Sequence, residues 1–101
     1  MGLAEEFHQD MVDIYNKTNE ECDYRPNRFL EVVQKMGGLN AAKKFLGSEK
    51  PQEGLNKLWE LKRLDLSMEV LVLKKKYAEL FTNEEKEIAR KRLEDLNYFK
   101  N

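Results

Sequence analysis

The sequence is poor in the residues that form disulfides, metal sites and thiol or imidazole catalytic centres. Its 101 residues include one cysteine, Cys22, and one histidine, His8. A single cysteine cannot close an intramolecular disulfide, and the acids at positions 20, 21 and 23 disfavour a reactive thiolate. Neither Ala4 nor Val12 can give His8 a second helical metal ligand. We therefore expect no catalytic, cofactor-binding or metal-binding residues and a satisfied or solvated His8.

Proline, glycine and long apolar runs are also scarce. The chain contains two prolines and five glycines, so few residues interrupt helices. The longest uninterrupted apolar run, residues 70–73, is far too short to span a bilayer. The first residues lack the basic start and apolar stretch of a signal peptide. These features predict one soluble, cytoplasmic domain over residues 1–101.

Charged residues are abundant and unevenly distributed. They make up 37% of the chain, against about 25% in an average globular protein. Residues 1–24 carry a formal charge of −6 and residues 25–101 a charge of +5. Either the first helix packs its acidic side against a basic body, which we favour, or a separate basic binding face has an acidic arm beside it.

Apolar residues recur at spacings of three and four along most of the chain, which predicts amphipathic helices. The predicted helices cover about 3–20, 26–36, 41–46, 51–62 and 83–96. Asn40 is the expected N-cap of the third helix, Gly47 its end, and Pro51 the start of the fourth. Thr82 and Glu85 are spaced as a capping box before the last helix.

The segment 68–73 is rich in β-branched residues and fits either a short strand or a helix capped by Asp65 or Ser67. We favour the helix because the sequence offers no second strand. The fold class is therefore all-α, a compact bundle of five or six short helices.

Ten large apolar residues at helical spacing form the predicted single core. They are Phe29, Leu30, Val33, Phe45, Leu58, Trp59, Leu71, Phe81, Ile88 and Leu93. Trp59 is placed in the core because it follows Leu55 and Leu58 in one stripe. Its truncation to alanine is then expected to cost about 3–5 kcal/mol of unfolding free energy.

Basic residues supply the candidate contacts for a protein or nucleic-acid partner. They are Arg25, Arg28, Lys43, Lys44, Lys57 and Lys62. Arg25 and Arg28 flank a predicted helix start, where the helix dipole disfavours cations. We expect acids of the first helix to hold them, and the alternative is that they bind an external anion. The runs 74–76 and 90–92 are interpreted as solvated surface.

Residues 37–63 resemble the helix-turn-helix of Fis-type regulators. The resemblance rests on Gly37, on the pair Ala41-Ala42 and on Gly47, followed by a helix that contains Leu55 and Leu58. The turn before Leu55 is two residues longer than in that pattern. The resemblance implies DNA binding through the helix near Pro51.

Over residues 24–96 the chain also resembles a small bacterial domain of uncharacterised function. The residues behind the resemblance are Tyr24-Arg25-Pro26, Arg28-Phe29, Gly37-Gly38, Leu58-Trp59-Glu60-Leu61, Arg63 to Ser67 with Glu69, and Leu80-Phe81-Thr82 with Glu85. This resemblance implies no activity.

The sequence favours a non-catalytic protein-interaction module. A helix-turn-helix-like nucleic-acid-binding or regulatory protein is the alternative, and an enzyme is the second alternative. The module is preferred because no nucleophile, base and oxyanion site can be assembled from the residue spacing, and because the acids near the N-terminus repel DNA. It predicts dispersed lysines and an exposed apolar patch.

Overall fold

A computed structural model describes residues 2–48 and 53–99. Six α-helices lie in this part of the chain, with two short 3-10 helices between them and no strand. The α-helices are α1 (Leu3–Cys22), α2 (Asn27–Met36), α3 (Gly38–Leu46), α4 (Glu53–Glu60), α5 (Met68–Val72) and α6 (Asn83–Asp95), and the 3-10 helices are Leu64–Leu66 and Lys75–Leu80. The Cα radius of gyration is 12.6 Å, close to the roughly 13 Å of a compact chain this long. The predicted all-α bundle is confirmed.

The helix starts were predicted with mixed success. Thr82 Oγ1 accepts the Glu85 amide while the Glu85 carboxylate accepts the Thr82 amide, so the capping box is confirmed. Ser67, and not Asp65, caps α5, which confirms the helix over 68–72. The Asn40 cap was wrong, because α3 begins at Gly38, three residues before the predicted start, and its N-cap is Gly37. Pro51 lies outside the described residues.

The close crossing of α1 and α3 explains the early start of α3. The Gly38 amide donates to His8 Nδ1 at 2.8 Å, so the imidazole satisfies one of the unpaired amides at this helix start. A Cβ added at Gly38 would lie 2.6 Å from the His8 Cα. Only glycine lets the two backbones approach this closely.

The buried apolar side chains form two clusters instead of the single predicted core. The large cluster contains Phe7, Met11, Val33, Ala41, Ala42, Phe45, Leu46, Met68, Leu71, Val72, Tyr77, Phe81 and Ala89. The small cluster contains Leu55, Leu58, Leu64, Leu66 and Leu93. Helix α6 contributes to both clusters.

Four residues of the predicted core are not buried. Trp59 is 50% exposed and Ile88 is 37% exposed. Helix α4 has only eight residues and buries Leu55 and Leu58, which turns Trp59 outward. On α6 the buried residues are 89, 92 and 93, so Ile88 lies outside the inward face of this helix. Phe29 and Leu30 are half-buried, and the other six predicted core residues are buried.

The acidic first helix packs partly against basic residues, as expected. Glu6 pairs with Lys76 at 2.7 Å and Glu21 with Arg63 at 2.8 Å. These pairs are at least about one-third exposed, so solvent screens them and they contribute little to stability.

Candidate functional site

A cleft of about 620 Å³ opens between α1, α2, α3, α4 and the start of α5. Its volume falls within the roughly 300–1,000 Å³ of ligand pockets. Apolar side chains from all of these elements line it: Ile14, Phe29, Val32, Phe45, Leu55, Leu58 and Met68. The rings of Phe29 and Phe45 stack with centroids 5.7 Å apart, which joins the α2 and α3 sides. We call these seven residues the apolar floor.

Three of the six basic candidate residues, Arg25, Arg28 and Lys44, also line the cleft. All three are exposed. The expected ion pair with the first helix does not form: Arg25 Nε donates instead to the Asn19 amide oxygen at 3.0 Å. Within the described residues, no carboxylate lies within ion-pairing distance of these three cations. The part of the rim that the structure describes is therefore positively charged.

The start of α2 adds to this positive potential. Pro26 is its N-cap residue and offers no side-chain acceptor, and the first turn contains no acid. The positive end of the helix dipole therefore lies beside Arg25 and Arg28 without a compensating charge of its own.

Glu69 is the one acid among the described lining residues, and it is neutralised inside the protein. Its Oε2 lies 3.2 Å from Arg92 Nη1, and both side chains are buried. Arg92 Nη2 also donates to the carbonyls of Phe45 and Ser48 at 3.1 and 3.0 Å. Burial raises the pKa of Glu69, and the charge of Arg92 only partly opposes that effect.

This buried pair corrects the interpretation of residues 90–92 as solvated surface. Arg92 is only 7% exposed because it faces inward beside Leu93 on α6. No signal in the sequence distinguishes Arg92 from Arg90 and Lys91 before its partner on α5 is known.

The other three basic candidate residues, Lys43, Lys57 and Lys62, lie in three different environments. Lys43 Nζ pairs with Glu85 at 2.8 Å and lies over the Phe81 ring. Lys57 Nζ lies 6.0 Å from the centroid of the Tyr24 ring, at the edge of the cleft. Lys62 lines a separate small hollow beside Trp59.

Helices α3 and α4 pack against different neighbours. Helix α3 packs mainly against α1, α2 and α6, whereas α4 packs mainly against the 3-10 turn 64–66. The small residues Gly38, Ala41 and Ala42 are buried in the large cluster or against α1, so they do not create a close α3–α4 crossing.

Cys22 and His8 do not converge on the cleft. Cys22 is a half-buried thiol that packs against the small cluster. His8 accepts the Gly38 amide at 2.8 Å, so it is satisfied as expected. Within the described parts of the chain, no three His, Cys, Asp or Glu side chains are placed to hold a metal ion.

Comparison with known proteins adds no relative. No protein-family model matches the chain, and no curated protein or solved structure is significantly similar to it. Among the described helices, none has the length and apolar character needed to cross a membrane.

Proposed function

We propose that this protein is a non-catalytic protein-interaction module whose cleft binds an acidic, apolar segment of a partner protein. The observation that carries the proposal is the combination of an apolar floor with three rim cations that have no carboxylate partner among the described residues. Apolar side chains of the segment would bury against the floor, and its carboxylates would pair with the rim.

The charges of the cleft support an acidic ligand. Arg25, Arg28 and Lys44 are exposed, so their charged groups are accessible to an incoming carboxylate. Arg92 already balances Glu69, so this buried acid does not repel an incoming carboxylate. Electrostatic complementarity of this kind increases the association rate and excludes basic segments.

The composition of the cleft supports a binding role over a catalytic one. Its described hydroxyls come from Thr18, Tyr24, Ser48 and Ser67, and no histidine or cysteine lines it beside them. Because Lys43 is paired with Glu85 and Lys62 lies elsewhere, the lysines also give little support to a DNA-binding face.

The proposal includes cytoplasmic residence, which the low cysteine content supports.

Selection from a random peptide library on the full chain tests the proposal. We expect selected peptides to combine Asp or Glu with Leu, Ile or Phe. Reversing Arg28 and Lys44 to Glu should weaken binding of a selected peptide about tenfold, measured by fluorescence anisotropy, because two attractions become repulsions.

The matched control reverses Lys74 and Lys75, which are exposed and do not line the cleft. This variant has the same net charge as the test variant and should keep the wild-type affinity. Recovery of no peptide, selection of basic peptides, or equal losses in the two variants would overturn the proposal. Duplex DNA binding abolished by reversing Lys43 and Lys44 would replace it with the nucleic-acid alternative.

A further inference from the structure

A second surface feature lies apart from the cleft, where α4 and α6 end. Trp59 is 50% exposed, Phe99 48% and Tyr98 37%. The rings of Tyr98 and Phe99 meet edge to face at 5.3 Å. Large aromatic side chains this exposed mark interaction surfaces on small proteins. We call these three residues the aromatic surface.

A hollow of about 250 Å³ lies beside the protruding rings. Trp59 and Tyr98 form part of its wall, and Leu64 and Leu96 add apolar area. Its lining shares no residue with the lining of the cleft. One surface thus carries exposed aromatic side chains and a hollow that two of them help to line.

The helix ends hold these groups in place. Lys62 and Asn97 adopt the left-handed conformation, with φ of 62° and 61°. The Arg63 amide donates to the Leu58 carbonyl and the Tyr98 amide to the Leu93 carbonyl, so both helices end in the same type of reversal.

The charges around the hollow are of both signs. Lys62 and Asp65 line it together. In the described part of the chain Lys62 has no ion pair, while Asp65 is 53% exposed and contacts only Arg63 among cations. A surface that complements the hollow therefore combines apolar area with an acid facing Lys62 and a base facing Asp65, whose carboxylate already pairs with Arg63.

A second copy of this chain meets those requirements. In a two-fold dimer the same patch is used on both subunits, so residue pairs are formed twice. Trp59 of each copy would enter the hollow of the other, and Lys62 of each would face Asp65 of the other. We propose that the protein self-associates as a two-fold dimer through the aromatic surface, leaving two clefts available.

Three partly exposed rings cover less than the roughly 800 Å² per partner of a standard interface. We therefore expect a weak dimer, with a dissociation constant on the order of micromolar or above. Sedimentation of the full chain should show the mass increasing with concentration from 12.0 kDa toward twice that value. Because Trp59 is the only tryptophan, its emission should shift to the blue over the same range.

Trp59→Ala should remain monomeric at every concentration, with an unchanged circular dichroism spectrum. Ile88→Ala is the matched control, because Ile88 is also exposed but does not line the hollow. It should dimerise like the wild type. A wild-type chain that stays monomeric at the highest concentration, or a Trp59→Ala chain that still dimerises, would overturn the proposal.

Charge exchange distinguishes a second copy from any other occupant. Lys62→Glu alone and Asp65→Lys alone should each weaken self-association, since each places like charges opposite one another. An equimolar mixture should associate more strongly than either variant alone, because both contacts in the mixed dimer again join opposite charges. A mixture no stronger than its components would rule out the two-fold arrangement.

Discussion

The large and small apolar clusters differ in how many elements contribute residues to them. The large cluster draws residues from α1, α2, α3, α5, α6 and the second 3-10 helix. The small cluster consists of five leucines from α4, the first 3-10 helix and α6. The surfaces proposed for binding both border the small cluster, since Leu55 and Leu58 line the cleft and Leu64 lines the hollow.

The two clusters therefore differ in role. The large cluster mainly stabilises the fold, whereas the small cluster borders both surfaces proposed for binding. Stability depends mainly on buried apolar contacts, and the large cluster contains more buried residues than the small one. A thin layer of leucines leaves the neighbouring faces of α4 accessible, so this helix can contribute to both candidate surfaces. Residues of α6 and the half-buried Leu73 pack against both clusters and connect them.

The largest predicted effect on stability comes from creating a cavity in the large cluster. Phe7 is fully buried, and its ring meets those of Tyr77 and Phe81 edge to face at 5.0 and 5.2 Å. Phe7→Ala should lower the free energy of unfolding by about 3–5 kcal/mol, because it leaves a cavity among rigid rings. Urea denaturation measures this change.

Leu55→Ala in the small cluster is the comparison. We expect a loss of about 2 kcal/mol, near the lower end for such substitutions, because the site borders the open cleft. Equal losses at Phe7 and Leu55 would contradict the contrast between the clusters.

The second prediction concerns the buried link between Glu69 and Arg92. Glu69→Ala should cost about 3 kcal/mol, because it leaves the Arg92 guanidinium buried without a counter-charge. Replacing both residues, as Glu69→Leu with Arg92→Met, should recover most of the loss by removing both charges. Thermal unfolding of the three variants checks this, and a double variant no better than Glu69→Ala would contradict it.

Local signals made much of the fold predictable. The helix periodicity, the Ser67 cap and the box formed by Thr82 and Glu85 each depend on residues a few positions apart. Such interactions can be recognised without knowing which helices pack together. The two clusters could not be predicted, because the same leucine spacing fits either one.

The errors arose where tertiary contacts decide the outcome. Trp59 continues an apolar stripe, yet the short α4 has only Leu55 and Leu58 facing inward among its described residues. Arg92 lies in a basic run, yet it is buried against Glu69, which is 23 residues away in sequence. Neither result follows from helical periodicity alone.

The candidate site was partly predictable. Arg25, Arg28 and Lys44 were identified from charge and do line one cleft. The apolar floor was missed as a site, because its residues look like ordinary core residues until the packing of five helices leaves a gap between them. Exposed aromatic residues near the C-terminus were also missed, since Tyr98 and Phe99 follow the end of the last helix.

The third prediction concerns the ion pair between Lys43 of α3 and Glu85 of α6. Burial alone would raise the pKa of Glu85, but hydrogen bonds from Lys43 and the Thr82 amide outweigh that effect and lower its pKa below the ordinary 4.5. The unfolded chain then binds protons more readily at this group, so stability falls as the pH falls. The contribution of Glu85 is fully present above about pH 4.5 and disappears as the pH drops through the folded pKa.

Lys43→Met should therefore destabilise the protein by about 0.5–1 kcal/mol at pH 7 and by less in acid, since the pair is partly exposed. Urea denaturation at the two pH values measures the difference. In a Glu85→Gln background the effect of Lys43→Met should no longer depend on pH. A pH dependence that persists there would assign it to another group.

The smallest predicted effect is a gain in stability at the end of α4, on the small-cluster side. Lys62 adopts φ of 62°, a left-handed conformation that costs about 1–2 kcal/mol for a residue with a Cβ. Glycine removes this cost but increases the entropy of the unfolded chain by about 0.4–1 kcal/mol. Lys62→Gly should thus stabilise the monomer by about 0.5 kcal/mol, measured by urea denaturation at dilute protein concentration. Lys57→Gly, within α4, should instead cost about 1 kcal/mol, and a similar loss in both variants would show that Lys62 does not adopt the left-handed conformation after α4.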